Sequence, residues 1–272
     1  VQSVRPAAVA GSFYPANRQA LKNVVREYFV QAREPRAQPF DRPKALIVPH
    51  AGYMYSGPIA AKAFILLEPL HERIERVVLL GPSHHVPFDG LAVPSSTAFE
   101  TPLGRVPIDA RARRRLLELP FVDVLDDAHH WEHSLEVQLP FLQEALDAFA
   151  VLPIAVGRAT PEQVRQVLEA LWDGDETLMV ISSDLSHYHD YDTAKRMDAA
   201  TAAAVESLDP ERITGEDACG RIAVQGLLKA AKRHALVAHT LDLRSSGDTA
   251  GGRDQVVGYG AWAFTVSKKD SP

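Results

Sequence analysis

Apolar residues along this chain fall into two alternating patterns. Short uninterrupted runs such as ALIV, VVLL and TLMVI stop at Gly, Pro or Ser and read as strands buried on both faces. Between them lie longer segments whose apolar residues recur at helical spacing. The patterns predict helices at 17–31, 57–68, 109–119, 132–149, 161–172, 191–207 and 217–233. They predict strands at 44–50, 76–81, 91–96, 151–157, 177–183, 235–246 and 255–266. In the first helix Leu21, Val24, Val25 and Tyr28 share one face. Pro161 stands at the first position of its helix, where its missing N–H costs nothing. Pro140 lies inside the 132–149 pattern and demands a kink or a break there. Residues 33–43 form a Pro- and Arg-rich connector. Alternating strands and helices predict an α/β fold: a mostly parallel central sheet with helices on both faces, in one domain over 1–272.

Histidines gather where three of these strands end. ALIVPH places His50 just past one strand, VVLLGPSHH places His84 and His85 past another, and LMVISSDLSH places Asp184 and His187 past a third. Parallel strands point their carboxyl ends at one edge, and ligand sites form in the crevice there. Three separate strands therefore aim polar groups at one region. Taken singly, His50 also reads as a turn residue and His85 as a donor to a loop carbonyl.

Two histidines make a weak metal site, and a third ligand is needed. SSGDTAGG offers Asp248 just after a strand, although its neighbours are also ordinary turn formers. His50, His84 and Asp248 would form a two-histidine, one-carboxylate set, which suits iron(II), Fe(II), and also accepts zinc. His187 is then free to carry a proton at neutral pH, with Asp184 orienting it or capping the next segment. In HHWEH, His129 and His133 have a spacing that would put both on one helix face. A zinc-protease helix needs Glu directly after the first His, whereas here Glu132 precedes the second. Glu132 is expected in the first helical turn, where a carboxylate suits the helix dipole. His133 and Glu136 are candidates to support the ligands from the crevice side. Cys219 lies in an apolar helical pattern and reads as a buried, inert thiol.

Composition removes several classes. Hydrophobic residues make up 46% and charged residues 24%, ordinary values for a globular domain. A net charge of −6 with no basic stripe argues against nucleic acid, and the arginines at 111–115 read as a solvated helix face. No apolar run reaches the roughly 18 residues of a membrane helix, and the first residues carry no signal-peptide pattern. The single cysteine rules out an internal disulfide. A cytoplasmic protein with a small-molecule substrate and no membrane or nucleic-acid partner is expected.

The segments AVAGSFYP (8–15), VPHAGYMYSG (48–57), LLGPSHHVPF (79–88), EHSLEVQLPFL (132–142), ISSDLSHY (181–188), CGRIAV (219–224), SSGDT (245–249) and VVGYGAWAF (256–264) resemble the Memo family, also called the AmmeMemoRadiSam system protein B group. The family is similar in fold and site shape to the class III extradiol ring-cleaving dioxygenases. The resemblance implies a three-layer αβα sandwich, a metal on His50, His84 and Asp248, and His187 as the acid–base group. Animal members carry a cysteine where this chain has Asp248, so here iron(II) gains and copper loses. Phe13, Tyr53 and Tyr55 are expected to wall the pocket. The resemblance also implies an alternative, a binding or adaptor protein that takes phosphotyrosine peptides in a groove of Phe13, His50, Tyr55, His84 and His187. A zinc-dependent hydrolase is a third possibility. A pathway link to a radical-SAM protein and an AMMECR1-like protein is implied as well. The leading expectation is an oxygen-dependent non-haem iron enzyme acting on an electron-rich ring.

Overall fold

The computed structural model describes residues 3–33 and 42–266, so most of the 33–43 connector lies outside the described residues. Four parallel strands form the centre of the main sheet, side by side in the order Pro43–Val48, Thr177–Ser182, Arg76–Pro82 and Ala150–Val156. Nearly every residue in them is buried, as expected for strands covered on both faces. Antiparallel strands extend the sheet on either side. Val256–Val266 pairs with Pro43–Val48 and carries Leu236–Ser245 and His187–His189 beyond it. Leu91–Val93 pairs with Ala150–Val156 and carries Val122–Val124. Helix Tyr53–Phe64 packs on Arg18–Ala32, and Pro161–Ala170 packs on Arg221–Arg233, so helices flank the sheet in a three-layer αβα sandwich. Among the described residues no helix is long and apolar enough to cross a membrane.

Several helix starts follow from local chemistry. Asn17 accepts the Ala20 N–H, Asp109 accepts from Arg111 and Ala112, and Thr160 forms a reciprocal capping box with Gln163. The structure adds detail to the apolar pattern in three places, the second of them the break that Pro140 demands. The helix expected at 57–68 begins earlier and spans Tyr53–Phe64, continuing as a 3₁₀ segment, Ile65–Leu70. The pattern at 132–149 is broken into His133–Glu136 and Leu139–Ala145, with Pro140 in the first turn of the second piece. A small separate sheet of Val4–Arg5, Ala98–Thr101 and Gly104–Pro107 had no strong signal in the apolar pattern.

The amino-terminal arm is tied to the one-turn helix His133–Glu136 by a buried carboxylate. Glu136 is fully buried and accepts from the Arg5 guanidinium, the Tyr14 hydroxyl, and the backbone N–H of Ala8 and Val9. Arg5 also donates to the carbonyls of His129 and Glu132, at 2.9 and 2.8 Å. Glu136 therefore faces the arm and not the crevice. The arm in turn carries Phe13, whose carbonyl accepts the Tyr53 N–H at 2.8 Å. Replacing Glu136 by Leu leaves a buried guanidinium and other donors unpaired. Urea unfolding of Glu136→Leu should show a loss of about 3–5 kcal/mol, the usual cost of orphaning a buried charge, and an unchanged midpoint would refute the lock.

Candidate metal centre

The carboxyl ends of the central parallel strands meet at one edge, and the imidazoles of His50, His84 and His133 converge there. One ring nitrogen from each lies within 4.8 Å of one from each of the others. The rings of His50 and His84 are 5.2 Å apart, His50 and His133 5.5 Å, and His84 and His133 stack at 4.6 Å. His50 follows Pro43–Val48 and is 2% exposed. His84 follows Arg76–Pro82. His133 opens the one-turn helix that packs on that strand at Gly81, where an added Cβ would lie 2.7 Å from the Ser134 hydroxyl.

Hydrogen bonds decide which nitrogens face inward. The Ser182 hydroxyl donates its one proton to the Ser134 carbonyl at 2.7 Å. It can therefore only accept from His50 Nδ1, 2.8 Å away, which leaves His50 Nε2 without a proton, an acceptor facing the Cys219 thiol at 3.3 Å. Gln138 steadies the same hydroxyl, donating to it at 3.0 Å and to the Pro49 carbonyl at 2.9 Å. Glu132, 1% exposed, accepts from the His84 backbone at 2.6 Å and from His84 Nδ1 at 2.8 Å. This leaves His84 Nε2 bare as well. Glu132 also accepts the Ser134 N–H at 2.9 Å, which makes it the N-cap of the short helix, and lies 3.5 Å from His133 Nδ1. Such carboxylate–imidazole pairs fix ring orientation and raise ligand basicity at metal sites.

Electrostatics keep His50 and His133 in their ligating form. Burial, then the charge of the neighbouring imidazoles, pushes His50 well below its ordinary value. Burial pushes His133 down to about 4, and it lowers His187 too. Burial opposes ionisation of Glu132, but hydrogen bonds from His84 and Ser134 outweigh it and hold the carboxyl well below the usual range. Near pH 7 burial keeps His50 and His133 neutral beside the Glu132 carboxylate, and imidazole nitrogens are borderline donors that fit iron(II), zinc or copper(II).

A cleft of about 820 Å³ opens onto the cluster, lined among others by Phe13, Tyr55, Asp184, His187, Tyr188, Glu216 and Cys219. Phe13 packs on His133 with ring centres 4.6 Å apart. Asp184 accepts the His50 N–H at 2.7 Å, and burial pushes its carboxyl up to about 7. Phe13, Tyr55, Asp184, His133 and His187 thus stand at the crevice, as the sequence suggests. Tyr53 does not wall the pocket. It is buried in the core and donates to the Val137 carbonyl at 2.7 Å. His85 is exposed, 6.2 Å from the His133 ring, and is absent from the described cleft lining.

Asp248 is the main departure. The structure does not bring it to the point where His50 and His84 meet. Its carboxylate accepts from the Tyr191 hydroxyl at 2.6 Å and from the Ser245 N–H and hydroxyl at 2.9 and 3.0 Å. The reason lies in the strand order: Val256–Val266 stands between Leu236–Ser245, which delivers Asp248, and Pro43–Val48, which delivers His50. Two strand spacings, about 10 Å, separate the deliveries. His133 supplies the third imidazole instead. Cys219 is also closer to the chemistry than its apolar pattern suggests, with Sγ 3.3 Å from His50 Nε2. Burial pushes its thiol up to about 12, and a cation bound beside His50 would pull it back down. His129 turns away from His133, because Glu132 caps a new helix between them, and bonds the Ala92 carbonyl at 3.0 Å.

Fold and cluster together define an α/β protein with a candidate three-histidine metal centre at the carboxyl edge of its parallel strands. The chain belongs to the Memo family: the model described as Memo-like protein matches residues 5–263. A MEMO1 family protein of Aquifex aeolicus (strain VF5) is 38% identical over 94% of this chain and 97% of its own length. One from Ignicoccus hospitalis is 36% identical over 97% of this chain and 99% of its own. The crystal structure of an uncharacterized protein from Escherichia coli K12 superposes with a TM-score of 0.53 at 14% identity, covering 80% of this chain and 99% of that one, a likeness of fold.

Two outcomes are expected from metal analysis. His133→Ala should lose most bound divalent metal while Asp248→Asn keeps it, as read by plasma mass spectrometry after anaerobic loading. The reverse pattern would restore the carboxylate as ligand. Glu132→Gln keeps the shape but weakens acceptance from His84, and should lower metal affinity about 10–100-fold in chelator competition.

Proposed function

We propose that this Memo-family protein is a metal-dependent oxidoreductase that uses dioxygen to oxidise a small electron-rich ring in the cleft, with the metal on His50, His84 and His133. The observation that carries the reading is the open side of the imidazole cluster: three inward nitrogens are presented on one side of a cleft large enough for a small molecule. The family's likeness to extradiol dioxygenases supports the choice of reaction class. A ferrous ion held there would supply Lewis acidity toward a substrate hydroxyl and a one-electron centre for oxygen.

The chain's own residues supply the rest. Phe13 and Tyr55 exclude water from one wall. His187 faces the same cleft, and burial lowers its pKa, so it is an acceptor near neutrality for the proton that a substrate hydroxyl sheds. Asp184 holds the His50 backbone in place. A second reading, a zinc-dependent hydrolase, is favoured by the all-imidazole donor set, because the expected carboxylate stands apart.

Anaerobic loading with iron(II) or zinc separates the two. Oxygen uptake with catechols by the iron form supports oxidation, and ester hydrolysis by the zinc form with no oxygen uptake by either overturns it. His187→Gln should keep its metal and lower turnover by roughly 10²–10⁴-fold. Loss of metal in that variant would make His187 a ligand, and full activity would make it structural.

A further inference from the structure

The charge of the cleft wall bears on which ring it would take. Among the described lining residues there is no lysine and no arginine. The carboxylates are Asp184 and Glu216. Asp184 is turned inward and spent on the His50 N–H at 2.7 Å. Glu216 is exposed, and no hydrogen bond or ion pair engages its carboxylate among the described residues. Away from the imidazoles, the free charge offered to a ligand is therefore negative.

Tyr188 adds an apolar face. The residue is 70% exposed although it lines the cleft, and its backbone sits in the left-handed region at φ 61°. A bulky residue is strained there, and such strain clusters where a side chain must be aimed for use. Phe13 and Tyr55 supply two more aromatic faces in the same cleft.

We propose that the cleft selects a compact ring whose outer substituent is neutral or cationic, Tyr188 offering a stacking face and Glu216 the charge preference, and that it disfavours rings bearing a carboxylate or phosphate. The proposal rests on the reading of the centre as one that takes a ring hydroxyl. A substrate enters with its hydroxyl toward the imidazoles and its substituent toward the mouth. An ammonium there meets Glu216, whereas a second anion meets the same carboxylate with no cation to offset it.

The test uses the full-length, iron-loaded protein without oxygen. It compares 4-methylcatechol, 4-(2-aminoethyl)catechol and 3,4-dihydroxybenzoate by calorimetric titration, with phenyl phosphate as a fourth probe. The amine should bind tightest and the carboxylate weakest, each step up to about fivefold, the size expected of one exposed charge pair. Glu216→Gln should erase the preference for the amine and Glu216→Lys should reverse it. Tyr188→Ala should weaken all three rings, and Tyr188→Phe should restore them. Tightest binding of the carboxylate or of phenyl phosphate, or an order indifferent to Glu216, overturns the charge preference alone. Failure of all three rings to bind overturns the ring-oxidation reading and this proposal with it.

Discussion

A carboxylate buried without a lysine or arginine must be satisfied by the N–H groups around it, and the centre depends on how Glu132 meets that demand. Leaving a charge of this kind unpaired costs several kcal/mol. Glu132 draws in the backbone and ring of His84 and the N–H of Ser134, and His133 lies beside it. The loop after one central strand is thereby fastened to the turn that starts the His133–Glu136 helix. Ser182 does the same for His50 with a neutral group, since its single proton is already committed to the Ser134 carbonyl. Ser134 thus joins both arrangements, and two imidazoles from separate strands turn their Nε2 atoms to one region.

Glu132 and Glu136 are four residues apart, a spacing that would place both on one face of a continuous helix. They face different partners because Glu132 has extended backbone, φ −74° and ψ 122°, and lies outside the helix it caps. One carboxylate serves the centre and the other secures the amino-terminal arm that carries Phe13 over His133. A one-turn helix therefore links arm, pocket wall and imidazole cluster.

The strands and two of the three imidazoles were legible in the sequence, because an uninterrupted apolar run must be buried on both faces and parallel runs must end on one edge. That places His50, His84 and His85 at the edge, and the family resemblance selects His84 from the adjacent pair. His133 is harder to assign, since its spacing from His129 suggests one helix face shared by both, and the cap at Glu132 that separates them does not show in that spacing. Asp248 misled for a different reason. That a strand delivers it to an edge is readable from the sequence, but which strand lies between is a matter of pairing, and pairing depends on long-range packing that no local pattern encodes. Tyr53 shows the same limit: the residue type suits a pocket wall, yet the hydroxyl is committed to the Val137 carbonyl within the core.

The arrangement divides the cleft into two electrical zones. At its floor burial keeps His50 and His133 uncharged, so a bound divalent ion would keep more of its charge than one facing a coordinating carboxylate, and would draw a single ionised oxygen inward. The rest of the lining contributes no cation among the described residues, and its free carboxylate is Glu216. A ligand with one acidic hydroxyl and no other anionic group satisfies both zones, whereas a ligand with two anionic ends satisfies one and opposes the other. On the proposed reading, a phosphorylated ligand would meet aromatic rings and a carboxylate along the described wall, where phosphate sites usually present arginine or lysine.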